Sequence, residues 1–399
     1  MLKNTLRIFI LIMAVVMTAC DSKDEPTPPD PNEKDEASRT VLVYMIASNN
    51  LGMDYLHFDR DDLDEMLEAA REGGLGDGRL LVYHNPYGTD FGNAPQLLEV
   101  TPDGLEVLKS YPDDPSIYST GIERMREVIA DMKNTAPAES YGLVLWGHAK
   151  GWMTESGDIV EKTVPRSYGH DRGKWMSLTS LAKALDGERF DFLYIDCCLM
   201  GTVEVVYELR NVAPVIAASP TEVEGEGMPY QLNVPIFLSP NPDMNLAAKN
   251  SYEYHLKGGR CCQMVVVNTD AIPALASASR AIYATVTGFP EGLSSIQILS
   301  QRFDSTSAQY GHCRPVYDFE SYMQLLAADN PQLLQTWQKA YDACISYKAS
   351  TPTEFNGIPV ETYGGLGSFI IKKPTDTHYR GYDLTQWWAD VASAAPAFQ

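Results

Sequence analysis

The chain has 399 residues, a formal net charge of −22 at pH 7, and 44% hydrophobic residues. This length suits one large α/β domain with an appended subdomain, or two domains. The strongly negative charge argues against nucleic acid as a partner and mildly favours cationic peptides.

The N-terminus is predicted to be an export signal. Two basic residues precede an apolar stretch over residues 8–16, which is too short to span a membrane. Small residues directly before Cys20 resemble a bacterial lipobox, so we expect residues 1–19 to be removed and Cys20 to carry a lipid. An ordinary signal peptide that is cut at a nearby alanine is the alternative. Both interpretations predict an extracytoplasmic protein, and lipidation predicts an anchor in the outer membrane, with exposure on the cell surface as a further option.

Residues 20–38 are predicted to be an acidic, proline-rich tether. This segment has almost no apolar residues and cannot bury a core. The folded part is therefore expected to begin near Arg39, with a main domain at residues 39–300 and a second part at residues 301–399.

Apolar, β-branched runs alternate with helical patterns through most of the chain. Strands are predicted at residues 40–47, 79–84, 142–147, 190–196, 214–218 and 263–268. Helices are predicted at residues 55–71, 122–134, 178–185, 199–209, 246–256 and 271–287. This alternation predicts an α/β fold with a largely parallel central sheet and helices on both of its faces.

The pattern becomes mainly helical from about residue 301. Helices are predicted at residues 318–328 and 332–347, followed by a last strand at residues 367–372. We interpret residues 301–399 as a C-terminal helical subdomain whose last strand packs on the main sheet.

Two reactive residues follow neighbouring predicted strands. His148 ends the third strand, and Cys198 comes just after the fourth. Ligands and chemistry in an open α/β sheet lie at the carboxyl ends of parallel strands, so the two side chains can meet over one crevice. Taken singly, each has a structural interpretation as a strand-end histidine or a buried cysteine. Together they suit a cysteine nucleophile and its base.

The neighbours of Cys198 predict how the thiol is activated. Because a helix is predicted from residue 199, the positive end of its dipole should lower the pKa of Cys198. His148 can take and return the proton, and the backbone amides of Ala149 and Cys198 can hold an oxyanion, each such donor being worth about 3 kcal/mol. Cys197 is the rival nucleophile, but it should point to the opposite side of the strand.

Several blocks of sequence occur in a characteristic order. They comprise residues 41–51, residues 145–148 with Gly151 and Trp152, residues 196–200 with Glu204, and residues 218–219 followed by Gly227 and Tyr230. These blocks resemble the clostripain family of cysteine peptidases, and weaker similarity continues to about residue 375. The resemblance implies that residues 39–300 form a caspase-like peptidase domain, and that the protein cleaves peptides after arginine or lysine.

The resemblance also implies roles for individual residues. His148 and Cys198 match the catalytic dyad, and Asp196 matches a residue that lines the primary specificity pocket. Ser219 matches the segment that pairs with the extended substrate backbone, which suits β-strand addition. The alternative for Asp196 is a cap of the helix predicted just after it.

One departure from the family pattern leaves alternatives open. The family usually has a glycine-rich run after the histidine, whereas this chain has Ala149 and Lys150, and alanine lacks the freedom of glycine at positive φ. An inactive peptidase-like surface binding module is therefore the main alternative, and a transpeptidase is a third interpretation. Some family members require calcium, for which Glu222, Glu224 and Glu226 are candidates, although alternating acids on a loop are more often simply exposed.

Overall fold

The computed structural model describes residues 36–87, 94–112, 114, 116–155, 164–165, 167–300 and 316–399. The predicted signal sequence, Cys20, most of the predicted tether and the boundary predicted at residue 301 lie outside these residues. Residues Glu36–Gln399 form one compact unit. Within the described ranges, no helix has the length and apolar character needed to cross a membrane.

Strands are distributed along most of the described chain. In chain order they are β1 (Thr40–Ile46), β2 (Arg79–Asn85), β3 (Gln96–Thr101), β4 (Gly104–Ser110), β5 (Tyr141–Trp146), β6 (Thr154–Glu155), β7 (Val164–Pro165), β8 (Tyr168–Asp171), β9 (Lys174–Met176), β10 (Phe192–Asp196), β11 (Val215–Ala218), β12 (Gln263–Asn268), β13 (Ile298–Ser300), β14 (Val316–Asp318), β15 (Ile345–Ser350) and β16 (Gly367–Ser368).

Helices alternate with many of these strands. In chain order they are α1 (Phe58–Arg71), α2 (Ile122–Thr135), α3 (Leu178–Ala184), α4 (Val203–Leu209), α5 (Tyr230–Phe237), α6 (Met244–Lys257), α7 (Ile272–Tyr283), α8 (Phe319–Leu326), α9 (Pro331–Cys344) and α10 (Gln386–Asp390).

A nine-stranded sheet forms the centre of the fold, in the order β15-β12-β11-β10-β5-β1-β2-β3-β4. The five strands from β11 to β2 pair in parallel. Antiparallel strands extend the sheet at both ends. The prediction of a largely parallel central sheet is confirmed.

Both faces of the sheet are covered, because successive side chains of a strand point to opposite sides. In β1, Leu42, Tyr44 and Ile46 belong to a core that includes side chains of α2, α3, α4 and α7. The alternate residues Val41 and Val43 belong to a second core with α1, α5 and α6. Each fully buried aliphatic side chain of this kind contributes roughly 1.5–3 kcal/mol to folding.

The C-terminal part differs from the prediction in two elements. The helix predicted to run to residue 347 ends at Cys344, and β15 follows it as the edge strand of the main sheet. The strand predicted at residues 367–372 is reduced to Gly367–Ser368, which pairs with β14 in a separate three-stranded sheet. The strand that the C-terminal part adds to the main sheet is therefore β15 and not the last strand.

Candidate active site

The histidine and the cysteine lie at equivalent positions of two paired strands. β5 and β10 are adjacent and parallel, with Trp146 opposite Asp196. His148 and Cys198 each follow this pair by two residues. Both line one cleft of about 740 Å³, which Asp196 also lines. The predicted meeting of the two residues at the carboxyl edge of the sheet is confirmed.

The turn after β5 requires glycine at position 147 but not at position 149. Gly147 has a φ of 137°, and a Cβ there would lie 3.2 Å from the backbone oxygen of Ile46. Ala149 adopts a negative φ, since His57, Arg172 and Leu199 are the non-glycine residues described with positive φ. The alanine at position 149 therefore imposes no backbone strain, which removes the reason to doubt this turn.

The amide of Ala149 takes no part in the hydrogen bonds of the bridge that this residue forms. Ala149 forms an antiparallel bridge with Tyr168. The hydrogen bonds of this bridge come from its neighbours, Lys150 N to Ser167 O at 3.0 Å and Gly169 N to His148 O at 2.8 Å. In the described part of the chain, the Ala149 N–H donates none of these bonds.

Cys198 lies in a tight turn and not at a helix N-terminus. α4 begins at Val203, and Leu199 has a φ of 63°. The amide of Leu199 donates to Thr221 O at 2.8 Å, so the chain after Cys198 pairs with the segment after β11 and does not continue into a helix. The predicted helix start at residue 199 is wrong, and so is the activation of Cys198 by that helix dipole.

The two adjacent cysteines face opposite sides. Cys197 is 1% exposed, packs in the core and donates from its thiol to Leu145 O at 3.4 Å. Burial raises the pKa of Cys197 well above its usual value. Cys198 is half-buried at the cleft, where the Val223 N–H donates to its sulfur at 3.3 Å. Cys198 is therefore the thiol that a ligand in the cleft can reach.

His148 is oriented by a residue from another strand end. Its Nε2 lies 2.8 Å from the side-chain oxygen Oδ1 of Asn50, which follows β1. An amide oxygen can only accept, so Nε2 carries a proton in this contact. The rings of His170 and Trp175 lie 6.2 Å from the His148 ring and also line the cleft.

Asp196 is a buried acceptor, and the helix-cap alternative for it is wrong. It is 7% exposed and accepts from Met228 N at 3.1 Å and from the Tyr230 hydroxyl at 3.4 Å. Burial raises the pKa of Asp196 to about 6, although both donors lower it. The residue at the N-cap of α4 is Thr202.

Two further carboxylates from α1 lie beside Asp196. Asp62 accepts from Trp146 Nε1 at 2.5 Å, and Glu65 accepts from Tyr230 N at 2.8 Å. Burial raises the pKa of Asp62 well above its usual value and that of Glu65 to about 7, and the charge of Asp196 adds to both shifts. Within the described residues, no lysine or arginine forms an ion pair with these three carboxylates.

Ser219 does not present a free strand edge. It is 2% exposed, and its carbonyl accepts from Gly201 N at 2.7 Å. β11, which ends just before it, is paired on both sides by β10 and β12. The cleft wall on this side is formed by residues 222–227. Ser219 instead lines the narrow cavity that also contains Asp196.

The three acids of this wall do not converge on a calcium site. Glu224 Oε1 accepts from Cys261 N at 3.3 Å, and Glu226 Oε1 pairs with Arg260 at 2.9 Å. Among the residues that the structure describes, no group of three or more histidine, cysteine, aspartate or glutamate side chains could hold a metal ion. Glu224 and Glu226 instead hold the wall against residues 260–261.

Comparison with known proteins identifies the family. A sequence profile of the clostripain family matches residues 43–372. The chain belongs to the clostripain family. The predicted family is thereby confirmed, and the protein is a member of a group of cysteine peptidases. None of the curated protein sequences matches the chain.

Solved structures of clostripain-family proteases share the fold. An inactive zymogen C11 protease from Parabacteroides distasonis is 28% identical, with a TM-score of 0.74 over 90% of this chain and 99% of that chain. A secreted C11 cysteine protease from Bacteroides thetaiotaomicron, in complex with an irreversible peptide inhibitor, is 26% identical, with a TM-score of 0.72 over 89% of this chain and 98% of that chain.

Proposed function

We propose that the protein is a cysteine endopeptidase that hydrolyses peptide bonds after arginine or lysine. Cys198 is the nucleophile, and His148 is the general base and acid. The observation that carries this proposal is the shared cleft, in which both residues follow paired parallel strands beside the buried carboxylate of Asp196. The inhibitor complex of the Bacteroides thetaiotaomicron relative supports peptide binding.

The proposed reaction is an acyl transfer through a thioester. His148 Nδ1 takes the proton of Cys198, and the thiolate attacks the carbonyl carbon of the substrate. The backbone amides of Ala149 and Cys198 stabilise the oxyanion. His148 then gives the proton to the leaving amine as the C–N bond breaks. Water, deprotonated by His148, hydrolyses the thioester and restores the thiol.

The basic preference follows from the charge around Asp196. Leaving a buried carboxylate without a cation is unfavourable, so a substrate cation that enters the pocket gains a charge-assisted hydrogen bond there. Guanidinium and ammonium groups both satisfy this requirement, and the net charge of −22 favours cationic peptides before contact.

Fluorogenic peptides with arginine, lysine or citrulline before the scissile bond test this function. We expect turnover of the two basic peptides and little of the neutral citrulline peptide. Cys198→Ala should abolish turnover, because it removes the nucleophile, whereas the matched variant Cys197→Ala should retain it. A reversed pattern would transfer the nucleophile to Cys197.

Absence of both turnover and Cys198 labelling by an electrophilic arginine peptide would contradict the enzyme proposal. That outcome would favour the inactive binding module. Joined rather than hydrolysed products in mass spectra would identify a transpeptidase.

We also propose that the protein is lipidated on Cys20 and anchored in the outer membrane. The support is the apolar segment followed by small residues and cysteine. Cells fed a clickable fatty acid should label the wild-type protein but not Cys20→Ser, and only the wild type should remain with the membrane fraction. An unlabelled wild-type protein whose N-terminus begins at another residue would support the ordinary signal peptide.

A further inference from the structure

We propose that Asp62 is a positioning residue for substrate specificity, which acts through Asp196: the pair holds a proton that is released when a guanidinium group binds Asp196. This inference rests on the proposed preference for basic residues. It adds a second carboxylate, from α1, beside Asp196.

The geometry around Gly227 brings the two carboxylates together. A Cβ on Gly227 would lie 2.7 Å from Asp196 Oδ2 and 3.4 Å from Asp62 Oδ2, so both oxygens approach the same point. Gly227 has a φ of 61°, which also favours glycine. Trp146 Nε1 holds Asp62, and Met228 N holds Asp196. The two acids are therefore fixed in place by donors from different elements.

A second, independent observation points to a ligand that donates an N–H. His255 lines the narrow cavity that also contains Asp196, and its Nε2 donates to Gly227 O at 2.8 Å. Burial lowers the pKa of His255, which keeps the ring neutral. Its buried Nδ1 has no hydrogen-bond partner in the described part of the chain. A planar guanidinium, with five N–H donors, can serve both a carboxylate and such an acceptor.

Two buried carboxylates whose oxygens approach the same point do not both ionise readily without a cation. In the unliganded pocket one proton is therefore shared by the pair, and an arriving cation lets both groups ionise. The titratable groups around the pair are Asp61 and Glu65 of α1, Tyr194, Cys197, Glu222, Tyr230 of α5, His255 of α6, Cys261 and Cys262. Among these, Glu65 and His255 need separate variants, because each can also change its protonation when a cation binds.

Calorimetry on the Cys198→Ala protein tests this pair without turnover. The probes are acetyl-Ala-Ala-Arg amide and its citrulline counterpart, titrated in buffers of different ionisation enthalpy. We expect the arginine peptide to release close to one proton at about pH 6.5, and to bind more tightly as the pH rises from about 5.5 to 7.5. Asp62→Asn, which can still accept from Trp146, should abolish most of the proton release and weaken arginine binding about tenfold.

The controls separate the pair from its surroundings. Asp64→Asn removes an exposed charge from the same helix and should leave binding and proton release unchanged. Glu65→Gln and His255→Gln should keep most of the release, whereas Asp196→Asn should lose it. Circular dichroism and the Tm identify any variant that fails to fold. In that case the test is the proton release that the arginine peptide causes in the Cys198→Ala protein, whose pocket is otherwise unchanged.

The inference is overturned if the arginine peptide does not bind, if it binds with no proton release and no pH dependence, or if Asp62→Asn behaves like Asp64→Asn. These outcomes differ from failure of the proposed function. Binding with proton release in a protein that shows no turnover contradicts the hydrolysis alone, whereas turnover of arginine substrates without proton release contradicts the role of Asp62 alone.

Discussion

The hydrogen bond from His148 Nε2 to Asn50 decides which ring nitrogen can act as the base. If the side-chain oxygen of Asn50 holds the proton on Nε2, then Nδ1 is available to the thiol of Cys198. Asn50 is exposed, so water can replace part of this bond when the amide is removed. We therefore expect Asn50 to be a positioning residue for the proposed base, whose loss reduces catalysis but does not abolish it.

We predict that Asn50→Ala lowers kcat about tenfold and leaves KM nearly unchanged, since general base catalysis by the correct nitrogen contributes on this scale or above. The measurement is the pH dependence of kcat for an arginine peptide. Asn50→Asp, which keeps an acceptor and adds a charge, should recover much of the rate and move the acidic limb of the profile to higher pH. Equal kcat values for Asn50→Ala and the wild type would show that the bond has no catalytic role.

The roles of Asn50 and Asp62 could not be predicted from the sequence. Asn50 is 98 residues from His148, and Asp62 is 84 residues from Trp146. Nothing in the local pattern distinguishes Asp62 from the other acids of α1, because its role depends on the strand pairing. Cys198 and His148 could be predicted, since each lies at the end of a recognisable strand.

The sequence predicts the buried parallel strands of the main sheet but not the strands at the two edges of that sheet. β1, β5 and β10 are continuous apolar runs, as expected of strands that are buried on both faces. The sequence does not predict the hairpin β3–β4, and its helical pattern at residues 332–347 runs into the first half of β15. β15 alternates partly buried and exposed residues along Ile345–Lys348, which is a weaker pattern because one face is open to solvent.

The start of α4 shows how tertiary pairing overrides a helical pattern. The residues after Cys198 are apolar enough for a helix, but the amides of Leu199 and Gly201 donate to Thr221 O and Ser219 O. These bonds hold the chain in a turn, and α4 begins only at Val203. The turn presents Cys198 toward the cleft while Cys197 enters the core.

The segment of residues 222–227, which we call the cleft strap, is fixed from the side of α6 and β12. Arg260 pairs with Glu226, Cys261 N donates to Glu224, and His255 donates to the backbone oxygen of Gly227. At its other end, the Val223 N–H donates to the sulfur of Cys198. The cleft strap is therefore held both to Cys198 and to the segment of residues 255–261.

At the scale of the whole molecule, Glu204 of α4 connects the layer of helices on the nine-stranded sheet to the C-terminal part. It lies in the first turn of α4 and is fully buried, and its Oε1 accepts from Ser368 Oγ at 3.1 Å and from Phe369 N at 3.0 Å. Burial raises the pKa of Glu204 to about 7, although these donors lower it. Glu204 therefore makes the stability of the compact unit depend on pH.

The direction of this dependence follows from proton linkage. A carboxyl with a raised pKa binds its proton more tightly in the folded state than in the unfolded state, so its stabilising contribution is full below the unfolded pKa. This contribution disappears as the pH rises from about 4.5 to about 7. The difference between the pKa values of the unfolded and folded states contributes on the order of 3 kcal/mol to the free energy of unfolding at low pH.

We predict that Glu204→Gln removes this part of the pH dependence, because glutamine can still accept from Phe369 N and Ser368 but does not ionise. Urea unfolding at about pH 5 and pH 8 should show the variant close to the wild type at the lower pH and more stable at the higher one. Asp62, Asp196 and Glu65 shift stability in the same direction, so the informative quantity is the difference between variant and wild type.

The matched control is Glu123→Gln, at the second position of α2. Glu123 is exposed, so this change should leave the dependence of stability on pH unchanged. Parallel pH profiles for Glu204→Gln and the wild type would mean that Glu204 does not carry the raised pKa.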